Sequence, residues 1–523
     1  MIFDMRRKAT VLTALTALAL STTALTTTAS AGAAESGSPL VRVSGPSPIT
    51  KCPVPLVGGT LYRQAEVEPH VAADPARPGA LIGVWQQDRF SNGGAQALVA
   101  GRSTDAGRTW NEVALPFSRC APGGLPYDRA SDPVVSIGPD GRAYTVGLSF
   151  TPNDLAPSFT TDDAIASATS TDGGRFWQRV RILDRDTNGD VQGSLDKEWV
   201  VADPTRPGLA YATWDHFTPN RDGSFHVPAR FARTSDGGRT WSDPLTIAGL
   251  PTDEAATIDT PVVDARTGAV YVFFNWTTPG NVDQLAFVRS ADQGRTWTKP
   301  QAITPVGSVG VVDPNNGKLL RTGDSLFSVA TDPRTGRLYL AWQSGALNGG
   351  RYDESLLVTS GDQGRTWTSP KVVSTRTGGP AFLPTIAVNP AGQLGLTWYD
   401  FRKDNPATAA LTTDVWFRTV STTGSHVSDE QHLSGSFNFA AAPDAGGRFV
   451  GDYQGMTTIG SRFHPFFAIT NCLLSCPANR TDIFSIAVTP STDLRPSSKA
   501  LDVSPRTTAR LAPQAPLPQR RVR

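Results

Sequence analysis

The sequence predicts an all-β protein with the architecture of a β-propeller, built from four-stranded antiparallel units called blades. Three observations predict this fold. An eight-residue motif occurs five times at intervals of roughly 60 residues. Two short apolar strands joined by a Pro/Gly/Asp turn precede each copy. Apolar residues make up 39% of the 523 residues, enough for a β-rich core. A repeat of this length denotes one supersecondary unit, and four antiparallel strands per unit are typical of a blade.

The octet has the pattern Ser/Thr-x-Asp-x-Gly-x-x-Trp. Its aspartates are Asp105, Asp172, Asp236, Asp292 and Asp362. An Asp side chain hydrogen-bonds nearby backbone N–H groups and fixes a turn, while Gly adopts positive φ without steric cost. The Trp opens the next strand and buries a large ring. Five copies in five units cannot share one site, so the octet aspartates are predicted to be structural.

The number of units follows from the strand pairs. Six pairs are clear, and residues 451–471 form a seventh. The sixth unit lacks a proper octet, since residues 421–424 hold its place without the Asp. The seventh lacks a clear fourth strand, which residues 40–49 could supply from the N-terminus, and such closure removes both free edges. Seven blades are therefore favoured, with six as the alternative.

The octet resembles the Asp-box of sialidases and their relatives, the BNR-repeat β-propellers. The resemblance covers roughly residues 60–490. The members that the chain resembles are secreted and of bacterial type. It implies a glycoside hydrolase that acts on terminal sugars of glycans, of the exo-α-sialidase type. Six blades are usual for the catalytic domain of sialidases, so a count of seven is a departure.

The chain divides into three segments. Residues 1–31 have a basic start, a short apolar run and a small-residue cleavage site, which together predict a secretory signal peptide. Residues 40–490 form the propeller. Residues 491–523 are rich in Pro, Ser, Thr and Arg without periodicity and are predicted to be disordered. The mature protein is expected to be extracellular and monomeric.

The charge balance excludes some partners. The chain has 48 Lys+Arg against 47 Asp+Glu, which argues against nucleic acid or an anionic membrane as the main partner. A glycan or polysaccharide is the expected partner.

The cysteines predict two disulfides. An even number in an exported protein points to pairing, with three possible connectivities for four cysteines. Cys52 and Cys120 both lie in loops leading into the first strand of a blade, so Cys52–Cys120 and Cys472–Cys476 are the favoured pairs.

The topology assigns charged residues to one end of the propeller. Loops that enter the first strand and loops that leave the second strand of each blade share a face, which we call the mouth. Acidic, basic and aromatic residues gather in these loops, whereas the opposite face carries the octets and other turns. A concave site with crowded charges is the default candidate for function.

The resemblance to sialidases implies roles for residues of the mouth. Tyr399 or Tyr453 would be the nucleophile, Glu198 its partner and Asp88 the acid/base. Substrate binding would fall to Arg89, Arg321, Arg402, Asp400 and Asp452. One departure concerns the Phe/Tyr-Arg-Ile-Pro motif of sialidases, because Val67 stands where the motif has Arg. Sialic-acid specificity is therefore in doubt.

One acidic loop resembles a calcium site. Oxygen ligands alternate at Asp184, Asp186, Asn188 and Asp190, and Asp196 follows. The twelfth position, where a calcium loop has a bidentate Glu, is Leu195. No cofactor is expected to be required, and a structural Ca²⁺ competes with an exposed acidic loop as the interpretation.

Three functions stay open at this point. The first is the glycoside hydrolase. The second is a non-catalytic propeller that binds glycan or protein at the mouth. The third is a polysaccharide lyase, which needs a His or Tyr base, for which His70 and His216 are the available histidines.

Overall fold

The computed structural model describes residues 38–53, 59–152, 160–187, 194–220, 225–280, 282–477 and 479–496. The predicted signal peptide and most of the predicted tail lie outside these residues. The described residues are almost entirely β-strand and turn, with one 3₁₀ helix at Phe439–Ala441. None of the helices described is long and apolar enough to cross a membrane.

Strands of the first half alternate with short turns. In chain order they are β1 (Val41–Arg42), β2 (Leu61–Tyr62), β3 (Val67–Ala73), β4 (Leu81–Phe90), β5 (Ala95–Ser103), β6 (Asn111–Ala114), β7 (Arg129–Ile137), β8 (Ala143–Pro152), β9 (Thr160–Ser170), β10 (Gln178–Asp186), β11 (Ser194–Ala202), β12 (Ala210–Pro219), β13 (Phe225–His226), β14 (Ala229–Thr234) and β15 (Leu245–Thr246).

Strands of the second half continue the pattern. They are β16 (Ala255–Val263), β17 (Val270–Thr278), β18 (Val282–Ser290), β19 (Gln301–Pro305), β20 (Phe327–Thr331), β21 (Leu338–Ser344), β22 (Glu354–Ser360), β23 (Lys371–Val372), β24 (Ala381–Val388), β25 (Leu394–Asp400), β26 (Thr412–Val420), β27 (His426–Val427), β28 (Gln431–His432), β29 (Phe437–Asn438), β30 (Gly455–Ile459), β31 (Arg462–Ile469), β32 (Asp482–Ser485) and β33 (Arg495–Pro496).

The strands form antiparallel sheets in the arrangement of a β-propeller. β16 to β19 and β20 to β23 each form a four-stranded meander, and β11, β12, β14 and β15 form another, with β13 added to β12. β2 to β10 share a nine-stranded sheet, because Ala95 of β5 pairs with Ala130 of β7. β24 to β29 share a sheet with β33.

The N-terminal strand completes the last sheet. β1 lies beside β32, with Val41 opposite Ser485 and Arg42 opposite Phe484. The strand order is β1-β32-β31-β30, so the chain's first described strand covers an edge that would otherwise be free. The sequence predicted this closure from residues 40–49, and the structure confirms it for residues 41–42.

The C-terminal boundary differs from the prediction. Residues 491–496 were assigned to a disordered tail, but β33 pairs with β27, and the Ser491 amide donates to Thr419 Oγ1 at 3.0 Å. Residues 491–496 thus bond to β26 and β27 of the neighbouring sheet, so the ordered part extends past residue 490.

The core lies between neighbouring sheets. Trp85, Trp214, Trp342 and Trp398 are fully buried, and each belongs to the second strand of its unit. Burying such large apolar rings is a major source of stability in a fold with little helix. The repeat of the sequence is thus also a repeat of the core.

The octets adopt the turn for which their sequence is suited. Asp236 Oδ1 accepts hydrogen bonds from the amides of Arg239 and Thr240 at 3.0 and 2.9 Å, and Asp236 Oδ2 accepts one from Thr240 Oγ1 at 2.7 Å. The amide of Gly238 donates to Thr234 Oγ1. Asp105 and Asp292 make the same set of bonds. The carboxylates of these octets thus accept hydrogen bonds from amides and hydroxyls of their own turns.

Both favoured disulfides are present. Cys52 bonds Cys120 across 68 residues, and Cys472 bonds Cys476 across 4. The first ties the N-terminal segment to the loop that enters β7. The pairing predicted from loop positions is therefore confirmed.

Candidate functional site at the central cavity

A cavity of about 200 Å³ lies where the innermost strands face one another. We call it the central cavity. Polar and aromatic residues of its wall include His70, Ser136, Trp199, Thr260, Ser328, Gln343, Thr385, Asp452, Tyr453 and Gln454. They come from β3, β7, β11, β16, β20, β21, β24 and the segment entering β30, so residues far apart in sequence share one space.

A recurring bulge places charged side chains at the mouth end of the inner strands. Glu68, Asp132 and Lys197 have positive φ of 53°, 52° and 52°. The register of β3, β7 and β11 shifts at these points. A bulge re-aims side chains and is over-represented next to active sites, and a non-Gly residue with positive φ is costly enough to mark a functional or strained position. Ile258 and Leu383 hold the same bulge in β16 and β24 without a charge.

These charges form one network, which we call the mouth network: Glu68, Asp132, Lys197, Arg321 and Asp452. Lys197 Nζ lies 2.9 Å from Asp132 Oδ2 and 3.2 Å from Asp452 Oδ2. Arg321 Nε donates to Asp452 Oδ1 at 3.0 Å, and a second guanidinium nitrogen donates to Asp452 Oδ2. Glu68 Oε1 accepts from the Asp452 amide, at 3.3 Å. The network joins three inner strands to the segments before β20 and β30.

Burial and neighbouring charge set the protonation states of this network. Burial acts to raise the pKa of Asp132, but the Lys197 charge and the Ser131 hydroxyl outweigh it and lower that pKa to about 2. Asp452 is buried too, yet Arg321 and Lys197 hold its pKa well below the ordinary value. Burial raises the pKa of Glu68 far above normal, and Asp132 adds to the shift. At neutral pH, Asp132 and Asp452 are therefore ionised, whereas the environment of Glu68 favours its protonated form.

Asp324 directly follows the cavity-lining Gly323, and its pKa is raised where that of Asp452 is lowered. Thr322 Oγ1 donates to Asp324 Oδ1 at 2.9 Å, and Gln343 Nε2 lies 3.3 Å from the same oxygen. Burial raises the pKa of Asp324 to about 6, with the charges of Asp353 and Asp452 adding to the effect of burial. Gly323 and Gln343 both line the cavity. Below a pH of about 6, Asp324 therefore holds a proton while Asp452 is ionised.

The cavity has an aromatic wall. Trp199 contacts the His70 ring edge-on at a centroid distance of 5.2 Å and the Tyr453 ring at 5.7 Å. His70 Nδ1 accepts a hydrogen bond from the Val135 amide at 3.4 Å, and burial lowers the pKa of His70 to about 4. His70 is therefore neutral. A planar apolar surface of this kind suits the face of a sugar ring.

The structure does not assemble the predicted tyrosine–carboxylate pair at this cavity. The Tyr399 hydroxyl is buried in the core between Gln454 Oε1 and the Ala468 carbonyl, both at 3.1 Å. The Tyr453 hydroxyl donates to the Pro133 carbonyl at 3.2 Å. Tyr399 is removed from the site because its strand β25 packs it against Phe382. The prediction that it faces the mouth cavity is wrong, whereas Tyr453 does line the cavity.

Asp88 and Glu198 also lie elsewhere than expected. Asp88 is fully buried and accepts from Ser47 Oγ at 2.9 Å and the Gln64 amide at 2.8 Å, so it anchors the N-terminal segment. Among the residues that the structure describes, neither oxygen of Glu198 has a hydrogen-bond partner. Burial raises the pKa of Glu198 well above normal, with Asp132 adding to the shift. Neither residue lines the central cavity.

The three candidate arginines do not form one clamp. Arg321 is paired with Asp452, and Arg89 donates to Gln86 Oε1 at 2.7 Å. Both guanidinium groups lie over the Phe449 ring, at 5.2 Å for Arg89 and 4.4 Å for Arg321. Arg402 belongs to a separate cluster.

That cluster is held by the end of β25. Arg402 pairs with Asp400, two residues before it, and with Glu430, and its guanidinium lies 4.0 Å from the Trp416 ring centroid. Asp400 also accepts from the indole nitrogens of Trp398 and Trp416, each at 3.1 Å. The predicted substrate-binding role of Arg402 and Asp400 is wrong for this cavity, because local ion pairing holds both away from it.

The calcium site stays a prediction. Asp184 accepts from Trp214 Nε1 at 2.9 Å and lies 3.3 Å from His216 Nδ1. Among the described residues, no group of three His, Cys, Asp or Glu is placed to hold a metal ion. Asn188 and Asp190 lie outside the described residues. Asp186 and Asp196 are described, and Asp196 accepts from the Lys197 amide.

Several of these residues belong to the charged strand entries that the sequence assigns to the mouth. Glu68, Asp132 and Lys197 lie near the start of a first strand. Asp324 precedes one, and this position was the available signal. Gln343 carried no signal, because it is an ordinary residue of β21 whose importance comes from its contacts with Asp324 and Asp353.

Known proteins resemble this chain only in part. No family model matches it. A sialidase of Bacteroides fragilis (strain YCH46) is 30% identical over 124 residues, which are 19% of this chain and 23% of that protein. The chain thus spans about a quarter of the length of this curated relative. An α-L-arabinanase of Penicillium chrysogenum, solved with arabinobiose, is 15% identical with a TM-score of 0.44, covering 69% of this chain and 92% of that one.

A further solved structure, an ulvan lyase, is 11% identical with a TM-score of 0.45, covering 82% of this chain and 96% of that one. Likeness of this extent does not identify an activity. The class of protein is defined by the fold and the cavity alone: an all-β propeller with a charged, aromatic-walled central site.

Proposed function

We propose that the chain is an exported sialidase-like propeller that acts on glycans as a glycoside hydrolase at the mouth of the central cavity. One observation carries this proposal. Asp452 lines the cavity and Asp324 directly follows the lining residue Gly323, and the pKa values of the two carboxyl groups are displaced in opposite directions. Two carboxyl groups in contrasting environments are what glycosidic bond hydrolysis requires, one to donate a proton and one to stay ionised.

In this proposal, Asp324 is the general acid. It protonates the leaving-group oxygen, because it keeps its proton up to a pH of about 6. Asp452 stabilises the positive charge that develops on the sugar, or activates the water that attacks it. Arg321 and Lys197 hold the Asp452 carboxylate in place. Trp199 packs against the sugar ring.

We propose seven blades for this propeller. The support is the order of the inner strands. β3 lies against β7, β7 against β11, β11 against β16, β16 against β20, β20 against β24, β24 against β30, and β30 against β3. Two blades would then share the nine-stranded sheet. Export is supported by the two disulfides, which persist in oxidising compartments.

Among substrates, we place neutral terminal sugars before sialic acid. A sialic-acid carboxylate needs free guanidinium groups for bidentate binding, and Arg89, Arg321 and Arg402 each have protein partners. Val67 in place of the sialidase arginine points the same way.

A panel of aryl glycosides, with a sialoside included, tests the proposal. Turnover by the purified protein, lost in Asp324→Asn and retained in the control Asp292→Asn, is expected. Asp292 suits the control because its carboxylate serves an octet on the opposite face. Full activity in Asp324→Asn would refute the assigned acid, and absence of turnover across the panel would refute the hydrolase.

A non-catalytic glycan-binding propeller is the second candidate. It is favoured by the ion pairs that Asp132 and Asp452 make with Lys197 and Arg321, since paired acids are less available for chemistry. Binding of a glycan without turnover would establish it. The lyase has no comparable support, because His70 Nδ1 is engaged by Val135 and His216 pairs with Asp184.

A further inference from the structure

The second octet differs from the other four at one position of its sequence, and the geometry of its turn does not require this difference. In four octets, a Thr hydroxyl donates to the Asp carboxylate at 2.6–2.7 Å. The second octet has Phe176 at this position. Asp172 therefore lacks that bond, and the Phe176 side chain is 69% exposed. The chain gives up a structural hydrogen bond and leaves an aromatic ring in solvent, and such local departures concentrate at functional sites.

Four arginines lie on the second octet, on the strand β10 that follows it, and on the third octet. Arg181 Nε donates to the Arg239 carbonyl at 3.0 Å, and Arg179 donates to the Gly237 carbonyl at 3.1 Å. Both side chains thus span from the second octet's sheet to the third octet. Arg175, next to Phe176, and Arg239 are exposed, and neither guanidinium has a hydrogen bond or ion pair within the described part of the chain. We call Phe176, Arg175, Arg179, Arg181 and Arg239 the octet patch.

The carboxylates beside the octet patch accept hydrogen bonds from their own turns. Asp172 accepts from the amides of Arg175 and Phe176 at 3.0 and 3.1 Å, and Asp236 serves the third octet in the same way. Hydrogen bonds of this kind hold carboxylates inside the turns, with their oxygens directed at backbone amides. Arg175, Arg181 and Arg239 are exposed, as is Phe176, so this surface carries positive charge together with one exposed ring.

We propose that the octet patch binds an anionic polysaccharide. The Phe176 ring would pack on the face of one sugar, and the arginines would bind carboxylate or sulfate groups of the same chain. A polysaccharide is favoured over nucleic acid, because the patch offers one exposed ring rather than a series of stacking rings, and the whole chain has a net charge of only +1.

This site is separate from the central cavity and does not rest on the proposed hydrolase. The octets lie at the ends of the inner strands opposite the mouth network, as the hydrogen bond from the Ala106 amide to the Gly79 carbonyl shows for the first unit, where octet and inner turn meet. An accessory site here would hold a polymer without occupying the mouth.

Isothermal titration calorimetry of the full chain tests the proposal. The probes are polygalacturonate and dextran sulfate, which separate carboxylate from sulfate recognition, with neutral dextran as the control. At least one anionic polymer is expected to bind. Phe176→Thr and Arg175→Gln are each expected to weaken that binding about tenfold or more. Arg295→Gln, the same octet position in another blade without the Phe, is the matched control and should bind as the parent does.

Phe176→Thr introduces the Thr that the other four octets have at this position. The variant should therefore fold, with a Tm equal to or above that of the parent. Unchanged affinity in Phe176→Thr overturns the proposal. Equal weakening in Arg175→Gln and Arg295→Gln also overturns it, because binding would then be a diffuse effect of charge. Tighter binding of a DNA duplex than of either polymer, lost in Phe176→Thr, would overturn it in favour of nucleic acid.

Discussion

Lys197 and Asp452 are 255 residues apart in sequence, and their charged groups lie 3.2 Å apart in the fold. Lys197 also pairs with Asp132, so one ammonium group serves two buried carboxylates. Burial acts to lower the pKa of Lys197, but Asp132, Asp196 and Asp452 outweigh it and raise that pKa well above normal. The pair therefore links the third unit to the segment that enters the last one.

The first prediction follows from this link. Lys197→Met should lower the free energy of unfolding by ~3–5 kcal/mol, because it leaves two buried carboxylates with one cation fewer. Urea denaturation measures the change. The exposed Lys299→Met is the control and should alter stability by less than ~0.5 kcal/mol. Equal stability of the two variants would show that the mouth network contributes nothing to the fold.

The second prediction concerns pH and Asp324. Its pKa in the folded chain, about 6, lies above the ordinary 3.8. Between these values the folded state binds a proton that the unfolded state has lost. This contribution to stability is therefore fully present below pH 3.8 and is lost as the pH rises through 6. Urea denaturation across this window should show a flatter profile for Asp324→Asn than for the parent.

The activity of the proposed hydrolase should follow the same group. The rate should decline as the pH rises through about 6, because Asp324 then loses the proton that it donates. Asp324→Asn should lower the rate ~10²–10⁴-fold. A parent profile that stays flat up to pH 8 would exclude Asp324 as the acid.

The third prediction concerns the octet turns. Asp236→Ala should cost ~1–3 kcal/mol, because the amides of Arg239 and Thr240 lose their acceptor. Activity or binding per folded molecule should not change. Asp243→Ala, an exposed Asp in the same loop region, is the control for thermal denaturation. An unaltered Tm together with lost activity would mean that the octet Asp is functional instead.

The fourth prediction compares the two disulfides. In the chain-entropy model, replacing Cys52 and Cys120 by Ser should cost ~4 kcal/mol, because the closed loop spans 68 residues. Replacing Cys472 and Cys476 should cost ~2 kcal/mol, because that loop spans only 4. Guanidinium denaturation of both double variants checks the order, and a larger loss for the short loop would contradict it.

The fifth prediction is a gain of stability. Phe176→Thr should raise the free energy of unfolding by ~0.5–1.5 kcal/mol, since the new hydroxyl can donate to Asp172 as Thr240 does to Asp236. The reverse change in a neighbouring octet, Thr240→Phe, should lower it by a similar amount. Thermal denaturation of the two variants tests both signs, and a loss in Phe176→Thr would show that the Phe176 ring supports the fold.

The sequence alone determined the local features of this protein. The octet turns and the strand pairs depend on residues that are near in sequence and recur at similar intervals, and the N-terminal closure and both disulfides could be predicted from the order of the strands and loops. Asp, Gly and Trp have the same local preferences in every copy, so repetition makes them visible without a structure. The sequence also predicted that the loops entering the first strands share one end of the propeller, because the direction of a strand fixes the end at which it begins.

Only the tertiary structure decided which residues of the mouth share the cavity. Tyr399 and Asp88 have the residue types of a sialidase site, yet core packing and the N-terminal segment engage them. Asp452 meets Lys197 and Arg321 because the inner strands converge on one axis, a relation that spacing in sequence does not contain. Whether a carboxyl group is ionised depends on burial and on the charges beside it, and for Asp324 and Asp452 both are set by contacts between distant segments.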